Sequence, residues 1–156
     1  MRKLFLVLLF ALIVCGGCLN SNDTMPLTKL TNELTTRRIL ALTKRSTYTA
    51  SLLQQLHARA NAYYSLVIDD LNNIPAYNFA EYNGVLLIET LVNGGAPELD
   101  ELLEVYSGAN NIVLLGLDGS YASPHKISVV TANSQNLDAP VLADTAEQVY
   151  FLLRSK

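Results

Sequence analysis

The chain has 156 residues, enough for one domain and too few for two of ordinary size. Half of its residues are hydrophobic and its formal net charge is −3, which argues against a nucleic-acid partner because such partners require basic patches. Its two cysteines, Cys15 and Cys18, both lie near the N-terminus. The rest of the chain therefore has no disulfide framework and no cysteine metal site.

The first part of the chain, residues 1–18, has the pattern of a secretory signal peptide. Arg2 and Lys3 supply positive charge, and residues 4–14 form an unbroken apolar run. Because a helix that spans a bilayer needs about 20 apolar residues, a run of this length fits the hydrophobic part of a signal peptide better.

The end of this segment resembles prokaryotic lipoprotein signals, in which small residues precede a cysteine that is acylated and becomes the mature N-terminus. Gly16, Gly17 and Cys18 match that pattern, whereas Cys15 stands where the family usually has an aliphatic residue. The resemblance implies lipidation of Cys18 and an extracytoplasmic domain anchored to the cell membrane. Ordinary signal cleavage and an uncleaved anchor are the alternatives.

Residues 19–37 are polar and rich in threonine and asparagine, with Pro26 near the middle. We interpret them as a tether that lifts the domain clear of the lipid surface, with a short helical piece around residues 27–34.

From residue 38 onward, strand-like and helix-like patterns alternate, which indicates an α/β domain over residues 38–156. Short apolar runs predict strands at residues 39–42, 63–68, 84–90, 111–117 and 127–131. Apolar residues at helical spacing predict helices over residues 49–60, after Pro97, and after the capping pattern of Asp144 with Glu147.

Taken in order, these elements resemble the flavodoxin-like family across residues 38–153. Residues 39–42 match the family's first strand, and residues 44–49 match its hydroxyl-rich phosphate loop. The helix from Ala50 matches the helix that follows this loop. Residues 81–97 resemble its third strand, cofactor loop and helix start, and residues 111–121 its next strand and second cofactor loop. The resemblance implies a three-layer sheet of four to five mainly parallel strands with helices on both faces.

One edge of that sheet is expected to differ from the family. Residues 119–126 are too few to form a crossover helix between the last two strands. Either residues 127–131 run antiparallel, or the helix has been lost and the edge rearranged.

The family binds flavin mononucleotide (FMN) outside the carboxyl ends of its parallel strands. The resemblance implies that two groups of residues contact the cofactor. Hydroxyls and backbone amides at a helix start would hold the phosphate, and a loop aromatic with polar neighbours would contact the ring. These candidates are Ser46, Thr47 and Thr49 for the phosphate, and Asn93, Gly94 and Tyr121 for the ring.

Several residues depart from the family's pattern. Thr47 stands where the phosphate loop usually has glycine, and Leu91 and Val92 stand where a stacking aromatic often lies. The hydroxyls of Ser46, Thr47 and Thr49 are most simply explained as a helix N-cap and its approach. Tyr121 has the alternative of packing on the domain as a loop aromatic, and residues 93–95 that of forming a plain turn.

We assign no catalytic residue and no metal ligand from the sequence. Asp118, Ser120 and His125 lie close together, but they lack the strand–turn–helix context of a nucleophile elbow. Asp69 and Asp70 follow a strand with no third metal ligand in view.

Two functions remain open. The first is a membrane-tethered domain that binds a partner protein or a cell-envelope component without a cofactor. The alternative is an FMN-binding electron carrier. Neither hypothesis makes the protein an enzyme with a substrate of its own, and an enzyme of unrecognised type is the remaining alternative.

Overall fold

A computed structural model describes residues 24–92, 96–106, 108–122 and 127–156. These residues form an α/β domain, as the sequence predicts, with a mostly parallel six-stranded sheet. The strands are β1 (Thr28–Leu30), β2 (Arg38–Thr43), β3 (Ser65–Asp70), β4 (Gly84–Thr90), β5 (Ile112–Leu117) and β6 (Ser128–Ala132). The helices are α1 (Thr47–Ala60), α2 (Pro97–Val105) and α3 (Ala139–Arg154), with 3₁₀ helices at Leu71–Ala76 and Phe79–Glu81.

The strand order is β1-β3-β2-β4-β5-β6, so β1 and β6 form the two lateral edges. Strands β2 to β6 run parallel to one another, while β1 runs antiparallel to β3. All five parallel strands therefore end on the same side of the sheet, which we call the carboxyl edge. The opposite side is the amino edge.

The last strand contradicts one of the two sequence-based alternatives. β6 pairs with β5 in parallel, with Val113 opposite Ser128 and Leu117 opposite Ala132. The antiparallel arrangement is therefore wrong. Residues 118–127 connect the two strands, which leaves no room for a full crossover helix.

The segment before β2 also differs from the sequence prediction. Residues 28–30 form a strand, so the helical piece predicted around residues 27–34 is wrong. Met25 is 3% exposed and Leu30 is 5% exposed, so both belong to the hydrophobic core. The sequence did not indicate this strand because an edge strand exposes one of its faces and therefore lacks a continuous apolar run. The part of the predicted tether from residue 25 to residue 30 is packed against the sheet.

Hydrophobic clusters lie on both sides of the sheet because successive side chains of a strand point to opposite faces. Ile39 and Ala41 of β2 face one cluster, which includes the apolar side chains of α1 and α3. Leu40 and Leu42 face the other, which includes α2 and both 3₁₀ helices. The central strands β2, β4 and β5 are buried along nearly their whole length, which explains their continuous apolar sequences.

The last helix begins earlier than its sequence pattern suggested. α3 starts at Ala139 with Asp138 as N-cap, so the predicted start at Asp144 is wrong. Asp144 is exposed within the helix, and Glu147 instead forms an ion pair with Arg59 of α1, at 2.9 Å. Among the described residues, no helix has the length and apolarity needed to cross a bilayer. The predicted signal at residues 1–18, including Cys18, lies outside the described part of the chain.

Candidate functional site

The carboxyl edge has a cleft at the point where the strand order changes direction. From β2 the chain adds β3 on one side of the sheet, and it then crosses to add β4 on the other side of β2. In open α/β sheets ligands bind at such a switch point. The cleft has a volume of about 270 Å³ and lies between residues 43–46 with Thr49, residues 88–90, and Leu117. We call it the switch-point cleft.

The structure brings Ser46 and Thr49 together as a reciprocal capping box at the start of α1. The Ser46 hydroxyl accepts a hydrogen bond from the Thr49 amide, at 3.0 Å, and the Ser46 amide donates to Thr49 Oγ1, at 2.9 Å. Thr49 Oγ1 also lies 3.1 Å from the Lys44 carbonyl oxygen. Thr49 is 2% exposed, so its hydroxyl faces these partners rather than solvent.

Thr47, the third predicted phosphate contact, is exposed next to this capping box. It belongs to the first turn of α1, whose N-terminus carries a partial positive charge from the helix dipole. Ser46 and Thr49 line the cleft, whereas Thr47 is not among the described residues that line it. Contact of these residues with a phosphate stays a prediction. Ser46 and Thr49 form the helix cap that the sequence offered as the alternative to phosphate binding.

Charges of both signs line the switch-point cleft. Lys44 is exposed and Arg45 is half-buried on the β2–α1 side, while Glu89 is half-buried on the β4 side. Glu89 Oε1 accepts a hydrogen bond from the Thr90 amide, at 2.9 Å. The Glu89 carboxylate opposes the entry of a phosphate group, whereas the lysine and arginine favour it.

Leu91, which follows β4, packs over the end of β5. It is 5% exposed, and its amide donates to the Leu117 carbonyl, at 2.8 Å. A Cβ atom at Gly116 would overlap Leu91 Cδ1, and one at Gly119 would lie 2.9 Å from Leu91 Cβ. The two glycines therefore provide the space that Leu91 fills. The sequence signal was a glycine inside a buried strand, which typically marks a close approach by another group.

Tyr121 lies away from the switch-point cleft. Its ring is half-buried against the α2 side of the core, and its hydroxyl donates to the Asp100 carboxylate of α2. The described residues that line the cleft do not include Tyr121. The other two predicted ring contacts, Asn93 and Gly94, lie outside the described residues.

Asp118 connects the ends of β5 and β6, a role that the sequence did not suggest. Its backbone has a φ of 61°, a left-handed conformation that is uncommon for residues other than glycine. Its amide donates to the Ala132 carbonyl, and its carboxylate accepts hydrogen bonds from the amide and the hydroxyl of Ser134. His125, which the sequence places nearby, lies outside the described residues.

Asp69 and Asp70 serve as buried hydrogen-bond acceptors at the end of β3. Asp69 accepts from the Tyr77 hydroxyl, at 2.6 Å, and Asp70 accepts from the Met25 amide, at 2.7 Å. Burial, followed by the hydrogen bond to Asp69, raises the pKa of Tyr77 well above its usual value. In the part of the chain that the structure describes, no three His, Cys, Asp or Glu side chains are grouped to hold a metal ion.

The described residues form an α/β domain with a small cleft at its switch point, lined by both polar and apolar side chains. No protein-family model matches the chain, and no curated protein or solved structure is significantly similar to it. Its function is therefore argued from the site itself.

Proposed function

We propose that this chain is a membrane-tethered, extracytoplasmic domain that binds a partner protein or a cell-envelope component in the switch-point cleft without a cofactor. We further propose a three-layer, flavodoxin-like architecture for it. When β2 to β6 are numbered one to five, their order is 2-1-3-4-5, which is the flavodoxin-like order. Helices also contribute to the hydrophobic clusters on both sides of the sheet.

The observation that carries the cofactor-free proposal is that the hydroxyls of Ser46 and Thr49 already have partners in the capping box. A flavin phosphate that used Ser46 and Thr49 would have to replace the bonds of the capping box. Losing a cap costs about 0.5–2 kcal/mol. Leu91 also fills the space over the end of β5. The cleft volume of about 270 Å³ also lies below the range of about 300–1,000 Å³ that is usual for small-molecule sites.

The test is site-specific photo-crosslinking in the membrane of the producing cell. A photoreactive residue replaces Thr90, which is exposed in the cleft lining, or Thr47, which is exposed beside Ser46 in the first turn of α1, and it replaces Leu34 as a control. Leu34 is 95% exposed and precedes β2, so it lies at the amino edge. We expect a discrete adduct from Thr90 and from Thr47 and none from Leu34. The absence of adducts at Thr47 and Thr90, or the same adduct at all three positions, would refute binding in the cleft.

The FMN-binding electron carrier is the second candidate, and two observations favour it. The cleft lies at the switch point where the resembled family binds FMN, and the N-terminus of α1 faces it beside Lys44. Titration of the protein with FMN, followed by flavin fluorescence, separates the two proposals. Saturable quenching at micromolar protein or below would replace the cofactor-free proposal. Unchanged fluorescence with a folded protein would exclude the electron carrier.

A further inference from the structure

The chain enters the domain at the carboxyl edge. β1 is antiparallel to β3, with Thr28 opposite Ile68, so the residues before β1 run alongside the end of β3. Met25 is buried there, and its amide donates to the carboxylate of Asp70, the last residue of β3. The segment that leads to Cys18 therefore starts from the same edge of the sheet as the switch-point cleft.

The length of chain between Cys18 and this point is short. Met25 lies seven residues after Cys18, and an extended chain spans at most about 3.3–3.6 Å per residue, or about 25 Å in total. The seven residues of β4 span about 23 Å at the usual rise of a strand. A lipid on Cys18 could bring the amino edge to the bilayer only if the whole segment ran straight along the side of the domain.

The carboxyl edge also exposes apolar side chains at several positions along the sheet. Leu27 is 55% exposed before β1, and Val92 is 66% exposed after β4. Leu137 and Val141 are 49% and 40% exposed at the start of α3. Apolar side chains bury favourably at the boundary between headgroups and acyl chains.

We infer that the carboxyl edge of the sheet faces and contacts the bilayer that holds the lipid anchor, so that the switch-point cleft opens toward the headgroups. This inference rests on the lipidation of Cys18 in the proposed function. It narrows the partner class, because a molecule that enters the cleft must do so at the membrane surface.

The amino edge is the competing surface. It exposes Leu34, Tyr63 and Phe151, together with the basic side chains of Arg37 and Arg154. Its composition suits a membrane contact as well. However, the amino edge lies about 23 Å from Met25, the length of a central strand, and the chain from Cys18 to Met25 spans at most about 25 Å. Position along the chain, rather than composition, therefore decides between the two edges.

The experiment uses the lipidated full-length protein in vesicles of phosphatidylcholine and phosphatidylglycerol. Val92→Cys and Leu137→Cys place an environment-sensitive fluorophore at the carboxyl edge, and Leu34→Cys and Phe151→Cys place it at the amino edge. All four side chains are at least 49% exposed. Spin-labelled lipids are expected to quench both carboxyl-edge labels several-fold more than both amino-edge labels. Equal quenching at the two edges, or stronger quenching at the amino edge, overturns the inference.

Mass spectrometry of the N-terminal peptide distinguishes a wrong orientation on the bilayer from the absence of the proposed lipid anchor. An unmodified Cys18 would remove the anchor and, with it, the inference. An acylated Cys18 with preferential quenching at Leu34 and Phe151 would overturn the inference alone and leave the anchor in place. The photo-crosslinks from Thr47 and Thr90 report on binding in the cleft independently of either result.

Discussion

Removing the capping box at the start of α1 tests whether Ser46 and Thr49 stabilise the helix. Ser46→Ala removes the acceptor of the Thr49 amide and is expected to lower the free energy of unfolding by about 1 kcal/mol. Thr49→Val keeps the side-chain volume but leaves the Ser46 amide without its acceptor, at a cost of about 1–2 kcal/mol. Because both changes break the same box, the double variant should lose less than the sum of the single losses.

Urea denaturation followed by far-UV circular dichroism measures these losses, with Thr47→Ala as the matched control. Thr47 is exposed in the same helical turn and is not a member of the capping box, so its removal should change stability by no more than about 0.5 kcal/mol. A loss of 1 kcal/mol corresponds to roughly 3–5 °C in Tm for a domain of this size.

Two results would refute the reasoning about the capping box. One is a Thr47→Ala loss as large as that of Ser46→Ala. The other is strictly additive losses in the double variant. If the double variant instead kept its stability but lost measurable FMN binding, the hydroxyls would be phosphate ligands rather than caps.

Three buried contacts can be tested by single substitutions. Gly116→Ala should cost about 1–3 kcal/mol in thermal unfolding because its methyl group overlaps a packed leucine, while Gly108→Ala, with nothing within 4 Å, should be nearly neutral. Asp70→Ala should cost about 1–3 kcal/mol and increase amide hydrogen exchange just before β1, since it removes a buried acceptor. Above a pH of about 10, the folded protein keeps a proton on Tyr77 that the unfolded chain releases. The free energy of unfolding should therefore fall as pH rises. Tyr77→Phe should reduce that fall, measured by urea denaturation at alkaline pH.

Each of these predictions has a contrary outcome. Equal losses at the two glycines would mean that the leucine moves aside without cost. Unchanged hydrogen exchange in Asp70→Ala would show that the segment before β1 is held by other contacts. An identical alkaline pH dependence in Tyr77→Phe would assign that dependence to other tyrosines.

The central strands could be predicted from the sequence because their environment imposes a simple pattern. β2, β4 and β5 are covered on both faces, so they appear as continuous apolar runs. β1 gave no such signal, since it has three residues and lies at an edge. Asp144 and Glu147 imitated a capping box, although Glu147 instead pairs with Arg59 from another helix.

At the candidate site, features that depend on neighbouring residues in the sequence could likewise be predicted, whereas features that depend on tertiary contacts could not. The hydroxyls of Ser46 and Thr49 could be placed at a helix start because their spacing alone creates the capping pattern. The packing of Leu91 over Gly116 joins two strands, so neither residue's neighbours in the sequence reveal it. The position of Tyr121 against α2 could not be predicted for the same reason.

The two lateral edges of the sheet are unequally protected against unwanted strand pairing. β1 offers three residues, and the exposed Lys29 in their middle discourages another strand from adding there. β6 offers five residues, Ser128 to Ala132, with no charge and no proline. Association between copies at high concentration should therefore begin at β6. Thr131→Lys, at an exposed position of that strand, should reduce the oligomer fraction measured by size-exclusion chromatography.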